Sequence, residues 1–414
     1  MWEAARDSGR NILSNGQYQY AKDLLEESLK LSRELEDRLM TALSLKNLGM
    51  IAYTLCEYQR ATGLFEESVS LYRELNDRLG ISNVLQNLGD VAKDQGDFRR
   101  AIHLYSECIE LKKEIGDRRG IAHLTASQGE VAFYQGDYPR AEDLTDRSLS
   151  LFEELGVKRG IIYSMGIQAF VFLYQGRFDL ACSLAKEVLT LATEINAPRP
   201  IAYAKEIYGL EAYARGDFEQ ARAFYQEAFE IFQKIEDRRN IANLWVNLGR
   251  TAYRQGDREG AIKFLNDSMA LSRELDIRWT LRFGLEILGL LEREAGNYEL
   301  AVDHFKESLK LSTEQANQQG IANCLGALTG LAVLVNEPER AACMFAASER
   351  IRRAMGARMG SNDQKEYEHY LGILKDQLDV LGLTTAWSEG SLLTIEQILD
   401  DIESWTVKLK ENVR

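Results

Sequence analysis

The residues of this chain that could bind a ligand recur at a fixed spacing along several predicted helices. On each helix they stand at i, i+4, i+7 and i+11, a spacing that places them on one helical face. Arginines in this set could hold a carboxylate or phosphate through paired hydrogen bonds, and its aromatic residues could cover an apolar group. The candidate ligand-binding residues are Asn87, Asp90, Asp94, Glu130, Tyr163, Ile167, Phe170, Tyr174, Tyr203, Asn243, Asn247, Arg250 and Arg254.

Motifs for catalysis are absent from the sequence. It has no glycine-rich phosphate loop ending in Lys-Ser or Lys-Thr, no His-Glu-x-x-His motif and no nucleophile elbow. Ser183 and Lys186 have the Ser-x-x-Lys spacing, but so short a match arises by chance in a chain rich in both residues. The four histidines lack a companion ligand at helical spacing. We therefore predict no catalytic residues, no metal site, no cofactor and no enzymatic activity.

A forty-residue repeat organises the chain that carries these residues. Alanine recurs at this spacing at Ala21, Ala61, Ala101, Ala141, Ala181, Ala221, Ala261, Ala301 and Ala341. Within one unit, the apolar residues between 77 and 95 follow the period of an α-helix. Gly96 ends that helix, and Asp97 is expected to cap a second helix over 98–115. Each unit is thus predicted to be a helical hairpin, and such hairpins stack into a solenoid.

The units resemble the tetratricopeptide repeat in its forty-residue form. The resemblance is carried by Asn87-Leu88-Gly89, Gln95-Gly96-Asp97-Phe98, Ala101 and Leu104-Tyr105, and by their counterparts Asn247-Leu248-Gly249, Gln255-Gly256-Asp257 and Ala261. It implies an all-α, right-handed superhelical solenoid of about nine hairpins, with a concave groove formed by the first helix of each hairpin. It also implies that the candidate residues face this groove, where asparagines would hold the backbone of an extended peptide.

The predicted groove changes character along its length. It begins with acidic and amide side chains between residues 83 and 94, is aromatic and aliphatic between 163 and 210, and turns basic at Arg250 and Arg254. Because exposed apolar surface is costly, an aromatic zone between opposite charges indicates a ligand-binding face. The alternative is a tight superhelix that packs these aromatic residues against its own inner wall.

The central units depart from the repeat pattern. Ala169 replaces a glycine, and residues 197–200 read Ala-Pro-Arg-Pro where other units read Asp-Arg-Arg-Gly. A larger residue at a close approach of two helices should splay or rotate the hairpin, which predicts a change of curvature between residues 165 and 205. Sequence drift in an interior repeat explains the same departures.

The repeat pattern divides the chain into two predicted parts. Residues 1–356 are expected to form the solenoid, with a truncated first unit, and residues 357–414 to form helices that cap its end. Segments 344–352, 367–368 and 386–390 resemble the carboxyl terminus of large bacterial signalling ATPases and transcriptional regulators, in which a nucleotide-binding switch precedes a tetratricopeptide sensor. Because unit one lacks its opening turn, its edge is predicted to stack on an upstream module or on a second copy of the chain, with terminal fraying as the alternative.

Composition favours a cytoplasmic protein without membrane or direct nucleic-acid partners. The net charge of −14 disfavours binding to a phosphate backbone, and no apolar run reaches the length of a membrane span. The amino terminus lacks the basic start and apolar core of an export signal. The five cysteines are scattered without paired spacing, so they are predicted to be reduced packing residues.

The leading hypothesis is a noncatalytic module that binds a protein or peptide segment in its groove. It would serve as the sensor or interaction region of a bacterial signalling or transcriptional regulator. Three alternatives stay open at this point: a freestanding adaptor, a regulator that binds a kinase, phosphatase or response regulator, and a sensor of a small ligand.

Overall fold

The structure, a computed structural model, describes residues 15–355 and 361–412, and these form twenty α-helices without a strand. The helices are α1 (Asn15–Glu34), α2 (Arg38–Thr54), α3 (Tyr58–Glu74), α4 (Arg78–Gln95), α5 (Phe98–Glu114), α6 (Arg118–Gln135), α7 (Tyr138–Glu154), α8 (Lys158–Tyr174), α9 (Phe178–Glu194), α10 (Pro198–Arg215), α11 (Phe218–Lys234), α12 (Arg238–Arg254), α13 (Arg258–Glu274), α14 (Arg278–Glu294), α15 (Tyr298–Glu314), α16 (Gln318–Leu334), α17 (Pro338–Met355), α18 (Ser361–Gln377), α19 (Val380–Leu392) and α20 (Ile395–Asn412). None of the described helices is long and apolar enough to cross a membrane.

The helices from α2 to α17 pair into eight hairpins. Each hairpin consists of an even-numbered first helix and the odd-numbered second helix that follows it. Helix α1 is the second helix of unit one, and the predicted first helix of that unit, with the predicted stacking edge that includes it, lies outside the described residues.

A left-handed turn residue and an acidic cap separate successive helices. Gly96 has a φ of +82° and ends α4, and the carboxylate of Asp97 accepts a hydrogen bond of 3.0 Å from the backbone amide of Arg100 at the start of α5. Positive φ recurs every twenty residues from Glu36 to Asn336. The predicted helix stop and helix cap are confirmed at these two residues.

The two helices of a hairpin approach closely where the first helix carries glycine. A Cβ atom at Gly89 would overlap the ring of Tyr105, which is fully buried on the second helix sixteen residues later. The fifth unit, which carries Ala169 at this position, has Ala185 in place of the aromatic residue, and both alanines are fully buried. The extra methyl group of Ala169 therefore meets a smaller neighbour, a compensation that the expectation of a splayed hairpin did not include.

The solenoid coils tightly enough for successive superhelical turns to touch. The side-chain amide of Asn317 donates to the backbone carbonyl of Tyr134, and Gln95 donates to Asp276 over 3.4 Å. These partners are 181 to 183 residues apart. A superhelical turn is therefore completed in about four and a half units, and the first helices enclose a channel instead of an open groove.

The three C-terminal helices pack against the last units. Helix α19 lies on α17, α20 contacts α15, and α18 touches both α16 and the more distant α10. Trp405 of α20 is fully buried, and its indole nitrogen donates to Glu337 over 3.1 Å. Arg340 holds Asp401 through two hydrogen bonds of 3.0 and 3.1 Å. These helices cover the apolar end of the solenoid, as an end unit must in a stack of repeats.

Candidate ligand-binding channel

The first helices line a cavity of about 1160 Å³ on the inside of the superhelix. Twelve of the thirteen candidate residues lie in its wall, and Arg254 does not. They converge because the i, i+4, i+7, i+11 stripes of the first helices α4, α6, α8, α10 and α12 face the inside of the superhelix. The volume exceeds what a single buried water molecule needs and falls above the usual range for small-molecule pockets.

One end of the channel is a network of charges and hydroxyl groups around Glu130. Lys93 makes an ion pair of 2.6 Å with Glu130, and the hydroxyls of Tyr163 and Tyr134 donate to the same carboxylate over 2.7 and 3.2 Å. Burial would raise the pKa of Glu130, but the charge of Lys93 and the hydrogen bonds from Lys93 and Tyr163 together lower it below its usual value. Glu130 is therefore held as a carboxylate.

The neighbouring Asp94 connects two superhelical turns. Its carboxylate forms an ion pair with Arg239 of α12 and accepts a hydrogen bond of 2.7 Å from the hydroxyl of Tyr53. Burial would lower the pKa of Arg239, but the carboxylate of Asp94 raises it well above its usual value. The charged groups that the sequence places far apart thus meet across the channel.

An aromatic band follows the acidic end. The ring centroids of Phe133 and Tyr174 are 5.2 Å apart, and those of Phe170 and Tyr203 are 6.2 Å apart, both edge to face. The rings contact each other and also line the cavity. The two interpretations of the aromatic residues, inner-wall packing and ligand contact, are therefore compatible.

Two of the predicted groove asparagines bind a buried carboxylate. The side-chain amides of Asn243 and Asn247 donate to the same oxygen of Glu206 over 2.7 and 3.0 Å. Glu206 is 3% exposed, and burial raises its pKa to about 7, against the opposing effect of these two hydrogen bonds and of Arg250. The hydrogen bonds to Glu206 therefore fix the orientation of the two asparagine side-chain amides that a peptide backbone would contact.

The two arginines at the predicted basic end differ in position. The guanidinium of Arg250 lies 4.1 Å above the ring of Tyr213 and lines the cavity. Arg254 donates from Nε to the hydroxyl of the same tyrosine over 3.2 Å and is not part of the cavity wall.

A row of four arginines at one repeat position, which sequence reasoning missed, also lines the channel. Arg119, Arg159, Arg199 and Arg239 occupy the same position in four consecutive units, near the start of α6, α8, α10 and α12. Each stands four residues before a stripe residue, so extending the stripe by one turn would have found them. The stripe did not predict Lys93 and Glu206, because each stands beside a stripe position. Both side chains nevertheless lie in the channel wall.

The channel offers hydrogen bonds, ion pairs and apolar contacts. Within 15–355 and 361–412, no group of three or more His, Cys, Asp or Glu side chains could hold a metal ion. All five cysteines are free thiols.

Comparisons with known proteins agree with this architecture. The tetratricopeptide repeat profile matches residues 3–74, 58–114 and 208–274, and that of anaphase-promoting complex subunit 5 matches 281–333. No curated protein matches the chain in sequence.

Solved structures with the same fold include two Rap proteins. A Rap protein complexed with Competence and Sporulation Factor has a TM-score of 0.63 and 16% identity over 82% of this chain and 93% of its own. The Rap conjugation gene regulator of the plasmid pLS20, in complex with the Phr* peptide, has a TM-score of 0.56 and 13% identity over 89% and 97%. A signal transduction ATPase with numerous domains and a tetratricopeptide repeat sensor, from Pyrococcus horikoshii, has a TM-score of 0.46 and 13% identity over 83% of this chain and 55% of its own.

The chain is therefore an all-α, right-handed superhelical solenoid built from tetratricopeptide repeats. It is similar to the Rap proteins in fold, and at 13 to 16% identity the similarity concerns the fold alone.

Proposed function

We propose that this protein is a noncatalytic peptide-binding module and that it acts as the sensor or interaction region of a signalling or transcriptional regulator. The observation that carries the proposal is the enclosed channel, in which an aromatic band lies between a carboxylate-rich end and an end with asparagine and arginine. An extended segment needs this combination, because its backbone requires hydrogen bonds and its side chains require apolar contact.

Two solved neighbours support the ligand class. They are a Rap protein complexed with Competence and Sporulation Factor and a Rap regulator in complex with the Phr* peptide. The second of these ligands is a peptide, and by analogy of fold we assign a peptide to this channel.

Capture from a synthetic peptide library tests the proposal. Immobilised full-length protein is incubated with a randomised octapeptide library, and the retained peptides are identified by mass spectrometry. The wild type should retain a defined subset, and the variant Phe170→Ala/Tyr174→Ala should lose about tenfold or more of it, because each ring contributes apolar contact area within the channel.

A matched control removes one tyrosine and one phenylalanine outside the channel. Tyr208 of α10 and Phe224 of α11 are half-buried, and their ring centroids are 5.5 Å apart. Neither residue lines the cavity. The variant Tyr208→Ala/Phe224→Ala should retain the same peptides as the wild type. Equal retention by all three proteins, or none by the wild type, would contradict the proposal.

A further inference from the structure

The row of four arginines at the start of the first helices, Arg119, Arg159, Arg199 and Arg239, differs from unit to unit in the carboxylate that each arginine binds. Arg199 binds Asp237, thirty-eight residues later at the start of α12, over 2.8 Å from both Nε and Nη2. Burial would raise the pKa of Asp237, but Arg199 and the amides of Asn240 lower it. Arg239, in contrast, is held by Asp94 from another superhelical turn.

Arg159 has no corresponding carboxylate. The residue thirty-eight positions after it is Ala197, and the one after Arg119 is Val157. Neither residue caps its helix through its side chain, whereas Asp117 and Asp237 do so in the adjoining units. The repeat has thus lost two acidic residues at one rim of the channel.

Arg159 is exposed to the channel and lies between two other arginines of the same row. Among the described residues it forms no ion pair and no side-chain hydrogen bond, and it lies in the cavity wall with Arg119 and Arg199 on the adjoining first helices. Arg159 is therefore a cation without a bound carboxylate at this rim, in a chain whose net charge is −14. A guanidinium in such a place presents a planar pair of donors that matches a carboxylate.

We infer that the channel ligand is a peptide with a carboxylate group that Arg159 binds, with Arg119 and Arg199 on either side. The inference rests on the proposed function and specifies its ligand class. A carboxylate-bearing peptide fits better than a nucleic acid strand, because the net charge of −14 on the chain disfavours a polyanion.

The geometry also sets the length of the ligand. Phe170 stands eleven residues after Arg159 on α8, roughly 16 Å along the helix axis. An extended peptide rises about 3.3 Å per residue, so about five residues connect a side chain at the aromatic band to a carboxylate at Arg159. An octapeptide is long enough to reach both.

Octapeptide libraries with free and with amidated C-termini test this inference. Wild-type protein should enrich Asp and Glu over Asn and Gln in retained peptides, or should retain peptides only from the free-acid library if the terminal carboxylate is bound. In Arg159→Gln this selectivity should fall by about three- to tenfold, because one charge-assisted contact is lost. Retention of aromatic-rich peptides should persist, and Arg159→Lys should keep part of the selectivity.

Arg147→Gln is the matched control, since Arg147 is an exposed arginine on the second helix α7 that pairs with Asp143 outside the channel. It should behave as the wild type. Retained peptides without carboxylate selectivity, or with selectivity unchanged in Arg159→Gln, would overturn the inference and leave the proposed function standing. Failure of the wild type to retain any peptide would overturn both. Binding of a fluorescent oligothymidylate that Arg159→Gln abolishes would overturn the inference in favour of a nucleic-acid ligand.

Discussion

At the scale of single residues, the channel controls the charge of the groups that it buries. Glu130 and Glu206 both lie in the wall and are both removed from water. Glu130 has the ammonium of Lys93 at 2.6 Å and stays ionised, whereas Glu206 has two amide donors and a pKa of about 7. A neutral donor compensates burial less than a cation does, which separates the two carboxyl groups.

The raised pKa of Glu206 predicts a pH-dependent stability. The carboxyl titrates at about 4.5 when unfolded and about 7 when folded, so between these values the folded state binds more protons. The stabilisation is fully present below pH 4.5 and is lost as the pH rises through 7. Relative to the wild type, Glu206→Gln should gain on the order of 2 kcal/mol in the free energy of unfolding between pH 4.5 and pH 8, measured by urea denaturation.

Glu307→Gln serves as the control for this titration, because Glu307 is exposed on the outer helix α15. Its stability should change with pH in parallel with that of the wild type. A parallel profile for Glu206→Gln would show that the buried carboxyl does not change its protonation on folding.

At the scale of helices, the contact between glycine and a ring sets the distance between the two helices of a hairpin. Gly89 with Tyr105 and Gly209 with Tyr225 are one solution to this packing problem, and Ala169 with Ala185 is another. The glycine pattern was visible in the sequence because it recurs every forty residues. Its aromatic partner was recognised only as an apolar position, since periodicity does not identify which side chain a given glycine faces.

Substitution of glycine by alanine should have opposite effects at two positions. Gly89→Ala should lower the free energy of unfolding by about 1–3 kcal/mol, because the new methyl group overlaps the buried ring of Tyr105. Gly63→Ala should raise it by roughly 0.5–1 kcal/mol, because Gly63 is a helical residue with open space around its Cβ position. Urea midpoints compare the two, and equal shifts would contradict the packing argument.

At the scale of the whole molecule, contacts between superhelical turns close the channel. The ion pair of Asp94 with Arg239 and the edge-to-face rings of Tyr134 and Trp279, 4.9 Å apart, both join units that are distant in the chain. In a solenoid, neighbouring units touch mainly each other. These contacts make this one more compact than nearest-neighbour stacking requires.

Loss of the Asp94 to Arg239 ion pair should loosen the superhelix. Arg239→Gln removes the nearer of the two cations paired with Asp94, whose side chain is 2% exposed, and leaves only Lys93 at 3.7 Å, so it should cost about 1–3 kcal/mol of stability. Small-angle scattering should show a larger radius of gyration. Arg238→Gln is the control, because Arg238 pairs with Glu274 of the same hairpin on the exposed surface. Identical scattering from the two variants would rule out a role for the ion pair in compaction.

The repeat, the hairpins, the turn residues and the stripe that lines the channel were determined by the sequence alone. They depend on interactions within about twenty residues, such as the cap of Asp97 on Arg100, and the forty-residue period multiplies each weak local signal. Only the tertiary structure decided that the channel closes, that Arg239 meets Asp94 and that Asn243 binds Glu206. These pairings depend on the pitch of the superhelix, which results from many small rotations between successive hairpins. The residue pattern of a single unit does not determine the total rotation.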